Sequence, residues 1–183
     1  MKNLTYSLLM ISLFTFSACD NDDNPTVVAV DPDPVSENIN VTGMLTGVNN
    51  WTSDNIYVLN QKVVVDAGAT LNIECGTIIK GSAGTGSLAS ALVVARGGTL
   101  NANGTADCPI IMTSESDNIE VGQTAGTNLG INDRGLWGGL IVLGYAPSSF
   151  SGDVSEVQIE GIPANDTFGL YGGNDASDNS GSI

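Results

Sequence analysis

Cys75 and Cys108 are the two thiols outside the amino-terminal segment of this 183-residue chain. A catalytic thiol needs a neighbouring base to activate it. The chain has no histidine, so the commonest general base and the commonest transition-metal ligand are both missing. Two cysteines without histidine also fall short of a four-ligand zinc site. In an oxidising compartment the pair is expected to form a disulfide, the alternative being two buried free thiols. Carboxylates are abundant, with 20 acidic against 5 basic residues and a net charge of -15. Such a chain lacks the cations that neutralise phosphates, so nucleic acid is not an expected partner.

Carboxylates can bind calcium, which prefers oxygen ligands. The best clusters are Asp175, Asp178 and Asn179, and a second set of Glu115, Asp117 and Glu120. Neither has the spacing of an EF-hand loop. They read as solvated loop acids, with Asp175, Asp178 and Asn179 kept as weak calcium candidates and no cofactor expected. Paired carboxylates could also serve a glycosidase, but any acidic chain offers such pairs. A lyase needs a base to abstract a proton, and only Lys62, Lys80, Arg96 and Arg134 follow Lys2. No catalytic residue is assigned. Carboxylates gathered beside a basic residue on one face of the fold would favour an enzyme.

Trp51 and Trp137 could stack on sugar rings. Trp137 reads as a core or coil-edge contact. Trp51, in Asn50-Trp51-Thr52, is expected to cover an open end of the fold. The Gly-rich run from Gly81 to Ser87 lacks the Gly-Lys-Ser/Thr ending and following helix of a phosphate loop, and reads as a surface loop.

The amino terminus carries an address rather than chemistry. Lys2 precedes a short apolar stretch from Leu8 to Phe16, and Phe16-Ser17-Ala18-Cys19 follows. This is the layout of a secretory signal, too short to span a bilayer. The last four residues resemble a lipobox, with a bulky apolar residue, two small residues and Cys. That resemblance implies acylation of Cys19, and several acyl chains on one residue suffice for stable anchoring. Asp20-Asn21-Asp22-Asp23-Asn24 resembles the surface-export signal of Bacteroidota lipoproteins. Residues 1–18 are therefore expected to be a signal peptide. Residues 19–40, with Asp31-Pro32-Asp33-Pro34, are expected to be a lipidated Cys and an acidic flexible tether. Val27–Val30 is noted as a short strand candidate.

From residue 41 the texture changes. Apolar runs rich in β-branched residues alternate with Gly, Asn, Asp and Thr clusters, as in Lys62–Val65, Ile78-Ile79, Ala91–Val94 and Leu140–Leu143. These are strand signatures, and no window shows sustained helical periodicity. The class is all-β. Val64-Val65-Asp66-Ala67-Gly68-Ala69-Thr70-Leu71-Asn72 matches Val93-Val94-Ala95-Arg96-Gly97-Gly98-Thr99-Leu100-Asn101 at an offset of 29 (93 minus 64). Both copies then reach a Cys and an apolar pair, and a looser copy runs through Trp137–Gly144. Short strands repeating at this interval suit a β-solenoid whose coils stack on a shared apolar column. Asn72 and Asn101 occupy one repeat position, where stacked amides form ladders. Cys75 and Cys108 occupy another, where coils about 4.8 Å apart make a bridge easy. The alternative is a β-sandwich with similar hairpins.

The runs Gly68–Ile73, Gly76–Gly81, Ala91–Gly98 and Gly135–Ile141, with Glu160–Pro163 and Tyr171–Gly173, resemble Bacteroidota surface lipoproteins. That resemblance implies a right-handed parallel β-helix over residues 41–183, with an N-terminal capping region, about three coils, and no established reaction. Relatives of that kind are often longer, so the β-helix is expected to be incomplete at its C-terminal end. The expected function is a lipid-anchored surface scaffold or adhesion module at the outer membrane, held by acylated Cys19. A glycan-binding component or a carbohydrate-active enzyme is the alternative. The expected partners are membrane lipid and an extracellular glycan or surface protein.

Overall fold

A computed structural model describes residues 36–151 and 154–183. Cys19, the signal segment and Val27–Val30 lie outside the described residues. Twelve strands follow in chain order: β1 (Asn38–Leu45), β2 (Val48–Trp51), β3 (Ile56–Val65), β4 (Thr70–Ile73), β5 (Ile78–Gly81), β6 (Ala91–Val94), β7 (Thr99–Asn101), β8 (Ile111–Ser114), β9 (Leu140–Val142), β10 (Val157–Gln158), β11 (Leu170–Tyr171) and β12 (Gly181–Ser182). Two short 3-10 turns, Gly86–Leu88 and Thr167–Gly169, are the remaining regular elements among the described residues.

Every pairing except β10 with β11 is parallel, and each joins strands from successive coils. The strands form three faces. The first carries the start of β1, the start of β3, β5 and β8; the second carries the end of β1, the end of β3, β6 and β9. Both belong to one sheet, because β1 and β3 run through the corner between them. β3 turns that corner at Gln61, whose φ of 62° is unusual for a residue with a side chain. The third face is the sheet β2, β4, β7, β12. This is a solenoid of parallel strands, and the sandwich alternative is set aside. The 29-residue repeat is its register, pairing Val64 with Val93, Thr70 with Thr99 and Asn72 with Asn101. The looser copy through Trp137–Gly144 is the fourth rung of the second face, where Leu140 pairs with Leu92.

Two expectations are corrected. Each face has four rungs, one more than the three coils expected. The additional rung is the segment read as a cap, and strand structure begins at Asn38, before residue 41. Asn38-Ile39-Asn40-Val41 alternates polar and apolar residues, and β3 supplies its whole edge as a partner. Trp51 does not cover an open end. It points into the core, 5% exposed, and stacks on Tyr57.

The core is built from columns. Ile39, Tyr57, Ile79 and Met112 lie in register on the first face, and Val63, Leu92 and Leu140 on the second; all pack in the central cluster. The outward sides of the faces differ. On the third face Thr70-Leu71-Asn72-Ile73 alternates, so its outer row is polar. On the other two faces apolar residues also point outward, at Ile56, Val58 and Ile78 and at Val64, Ala91 and Val93, and each has a second cluster outside. Ile56, Val58 and Ile78 are covered by Ile119 with Val121, from the insert 115–139. Val64, Ala91 and Val93 are covered by Leu143, Ile159, Ile162, Phe168 and Tyr171, from the insert 143–180. Continuous apolar runs mark strands buried on both sides, so these two faces need roofs and the third does not.

Candidate functional site

The insert that roofs the second face leaves a cleft against it. The cavity is about 280 Å³, with Ala91, Val93 and Ile141 on its floor and Lys62, Glu160 and Asp166 among its polar groups. Lys62 stands at the head of the apolar run Val63-Val64-Val65, just past the corner at Gln61. Its partner comes from far along the chain: Nζ donates to Oδ2 of Asp166, 104 residues on. Asp166 precedes the turn Thr167–Gly169, and its Oδ1 accepts from the Phe168 amide at 3.1 Å. The Lys62 ammonium also lies 5.9 Å from the centroid of the Phe168 ring. Burial of the ammonium pushes its pKa below the usual lysine value.

Among the described residues two other cations also hold inserts in place. Arg96 Nη1 donates to Glu156 Oε2 at 2.5 Å and to the Gly172 carbonyl at 2.9 Å, and its guanidinium lies over Tyr145 with 4.9 Å to the centroid. Lys80 Nζ donates to the carbonyls of Asp117 and Ile119, both at 2.8 Å. Arg134, exposed, donates to the Ile131 carbonyl at 3.4 Å. Lys62 and Arg96 therefore fasten the roof of the second face, and Lys80 fastens the roof of the first. The sequence contains no local signal for Lys62 with Asp166; only the charge heading an otherwise apolar run marks Lys62 as needing a partner.

Cys75 and Cys108 are joined by a disulfide with Cα atoms 5.3 Å apart, at the corner between the third face and the next coil. Each of the calcium candidates has one side-chain oxygen bonded to the chain itself. Asp175 Oδ1 accepts from the amide and hydroxyl of Ser177, Asp178 Oδ2 from the Tyr145 amide, and Asn179 Oδ1 from the Gly181 amide. Asp117 caps Ile119 and accepts from Thr113. No group of three or more Cys, Asp or Glu residues is gathered as a metal set among the described residues. Trp137 packs partly buried against the central core. The loop 82–90 contains the turn Gly86–Leu88 and borders the cleft through Gly86 and Ser87.

The arrangement thus has a base with two carboxylates on one face, the composition a carbohydrate-active site would need. The base is held by one of those carboxylates. A fixed ammonium is an electrostatic anchor; it becomes a proton acceptor only once its own proton is lost.

Residues 43–183 match the family model described as a pectate-lyase-like beta helix domain. No curated protein and no solved structure matches the chain. The match covers both roofs, the cleft and the three faces apart from Asn38–Thr42 of β1, and on it the chain belongs to the pectate-lyase-like beta helix family.

Proposed function

We propose that this chain is a lipid-anchored surface lipoprotein whose right-handed β-helix serves as a non-catalytic scaffold or adhesion module. The observation that carries the non-catalytic part is the use of the cations. Lys62, Lys80 and Arg96 each fasten an insert to a face, so none stands ready as a base. Anchoring rests on the lipobox-like Phe16-Ser17-Ala18-Cys19, and surface display on the acidic residues after it. The source is read as a Bacteroidota outer membrane. Among the described residues no insert roofs the third face, whose outward rows run Val48, Thr70, Thr99 and Asn50, Asn72, Asn101, and this is the side left for a partner.

Metabolic labelling with palmitate tests the anchor, with C19S as the unlabelled control. Loss of the chain from intact cells after external protease tests surface display. An assay for unsaturated uronate release from acidic polysaccharides tests catalysis, and steady release would overturn the scaffold reading.

The cleft favours a second reading, a glycan-binding component or a carbohydrate-active enzyme. Its mixed apolar and charged lining suits a small sugar unit. A glycan array probed with the intact chain separates this reading from the scaffold. Binding lost in a variant that fills the cleft, such as Ala91→Phe, would favour it.

A further inference from the structure

We propose that Lys62 and Asp166 are a modification site, joined by an intramolecular isopeptide bond that ties the second face to its own roof. The amine of Lys62 and the carboxyl of Asp166 touch directly although 104 residues separate them. Fold closure therefore supplies the proximity that an amine and an acid lack in solution, and well-oriented intramolecular pairs gain effective molarities of roughly 10⁵ M or more. Both side chains are about three-quarters covered, at 25% and 23% exposed.

Asp166 is held firmly. Its amide donates to the Pro163 carbonyl, and its carbonyl accepts from the Gly169 amide and from Gln158 Nε2. Its two carboxyl oxygens are also unequal. Oδ1 accepts from the Phe168 amide and Oδ2 meets Lys62. That amide is placed to steady negative charge on Oδ1 when Cγ becomes tetrahedral, as an oxyanion donor does.

The surroundings favour the reactive forms. Attack needs a neutral amine and a protonated acid, and a poorly solvated pair gains by passing the proton from nitrogen to oxygen. The Phe168 ring and the apolar lining by Ala91, Val93 and Ile162 supply such a setting, and burial already lowers the basicity of Lys62. Lys62 Nζ meets Asp166 Oδ2 directly, so the proton passes between the two groups without a relay.

The step balances without a co-reactant. Nζ attacks Cγ and the C–N bond forms. The Cγ–Oδ2 bond then breaks, and Oδ2 leaves as water with two of the three ammonium protons, so nothing is oxidised or reduced. Arg96 with Glu156 makes the matching contact at the other end of the roof. A guanidinium stays protonated and is no nucleophile, so that clamp remains ionic.

The test is mass spectrometry of the full chain after reduction and trypsin digestion. The expected product is a branched peptide with no cleavage after Lys62, joined to the peptide that begins at Gly135 and one water lighter than the two together. K62R keeps the ion pair and should give separate peptides. Cleavage after Lys62 in the natural chain, with its amine open to acylation once the chain is unfolded, would mean an ion pair only and overturn the proposal.

Discussion

Trp51 stacks on Tyr57 with ring centroids 4.6 Å apart and planes within 12°. The two rings come from different coils, one closing the first and the other opening the second. Both are 5% exposed, and the Tyr57 hydroxyl reaches back to accept from the Thr52 amide at 2.9 Å. The stack therefore fixes the corner 52–55 between β2 and β3. Trp51→Ala is expected to cost about 3–5 kcal/mol, the range for a large buried aromatic. Tyr57→Phe keeps the stack, loses the hydroxyl contact and should cost about 1 kcal/mol. Urea unfolding of the two variants measures both, and equal losses would contradict this division.

The amide ladder on the third face predicts a positional effect. Asn72 donates to Asn50 at 2.9 Å and accepts from Asn101 at 2.8 Å. Asn72→Ala breaks two bonds, while Asn101→Ala breaks the one. At about 0.5–1.5 kcal/mol per bond, the central substitution should cost about twice the terminal one. Equal melting temperatures for the two variants would show that the rungs are not coupled through the amides.

These first two sites also show how far the sequence reaches. The nine-position repeat aligned Asn72 with Asn101 correctly, since one residue per rung at constant register is visible as constant spacing. Asn50 escapes the repeat because it lies 22 residues before Asn72 rather than 29, β3 running unbroken through a corner that the loop 82–90 spans in the next coil. The burial of Trp51 is hidden for the same reason: without a visible repeat in the first coil, nothing in the sequence marks a core for its ring to enter. The apolar runs Ile78-Ile79 and Ala91–Val94 already imply burial on both sides. They do not say which segment provides the cover, because Ile119 and Phe168 reach those faces through inserts with no repeat to align. The Lys62 and Asp166 pair lay beyond reading for that reason, as a contact created by the insert's path.

The roof over the first face should be integral to stability. Ile119 comes from an insert almost without regular structure, yet it is 1% exposed against Ile56, Val58 and Ile78. Ile119→Ala should cost about 2–5 kcal/mol, as for a core isoleucine. Partial proteolysis should then cut within 115–139 while the β-strands persist. A loss under 0.5 kcal/mol would mean that the insert merely rests on the face.

Cys75 and Cys108 link successive coils across 33 residues. Constraining an unfolded loop of that length is worth about 4 kcal/mol in the chain-entropy model. The double variant C75S/C108S should unfold at markedly lower denaturant, and reduction of the natural chain should reproduce the shift. Thiol labelling of the denatured, unreduced chain should leave both residues unmodified.

Asp175 predicts an acid-side dependence. The Ser177 hydroxyl and then the Ser177 amide, both donating to Oδ1, hold the carboxyl below the ordinary aspartate value of 3.8. A carboxyl whose folded pKa is depressed binds protons more weakly in the folded state. Its contribution is therefore complete above the unfolded value and falls away as pH drops through the folded one. Asp175→Asn should be less stable than the natural chain near neutral pH, and the gap should narrow below pH 3.8. Because the group sits at the surface, the gap is small and best read as a difference in melting temperature between the two chains across a pH series. A gap that widened on acidification would reverse the sign and rule out the serine contacts as its cause.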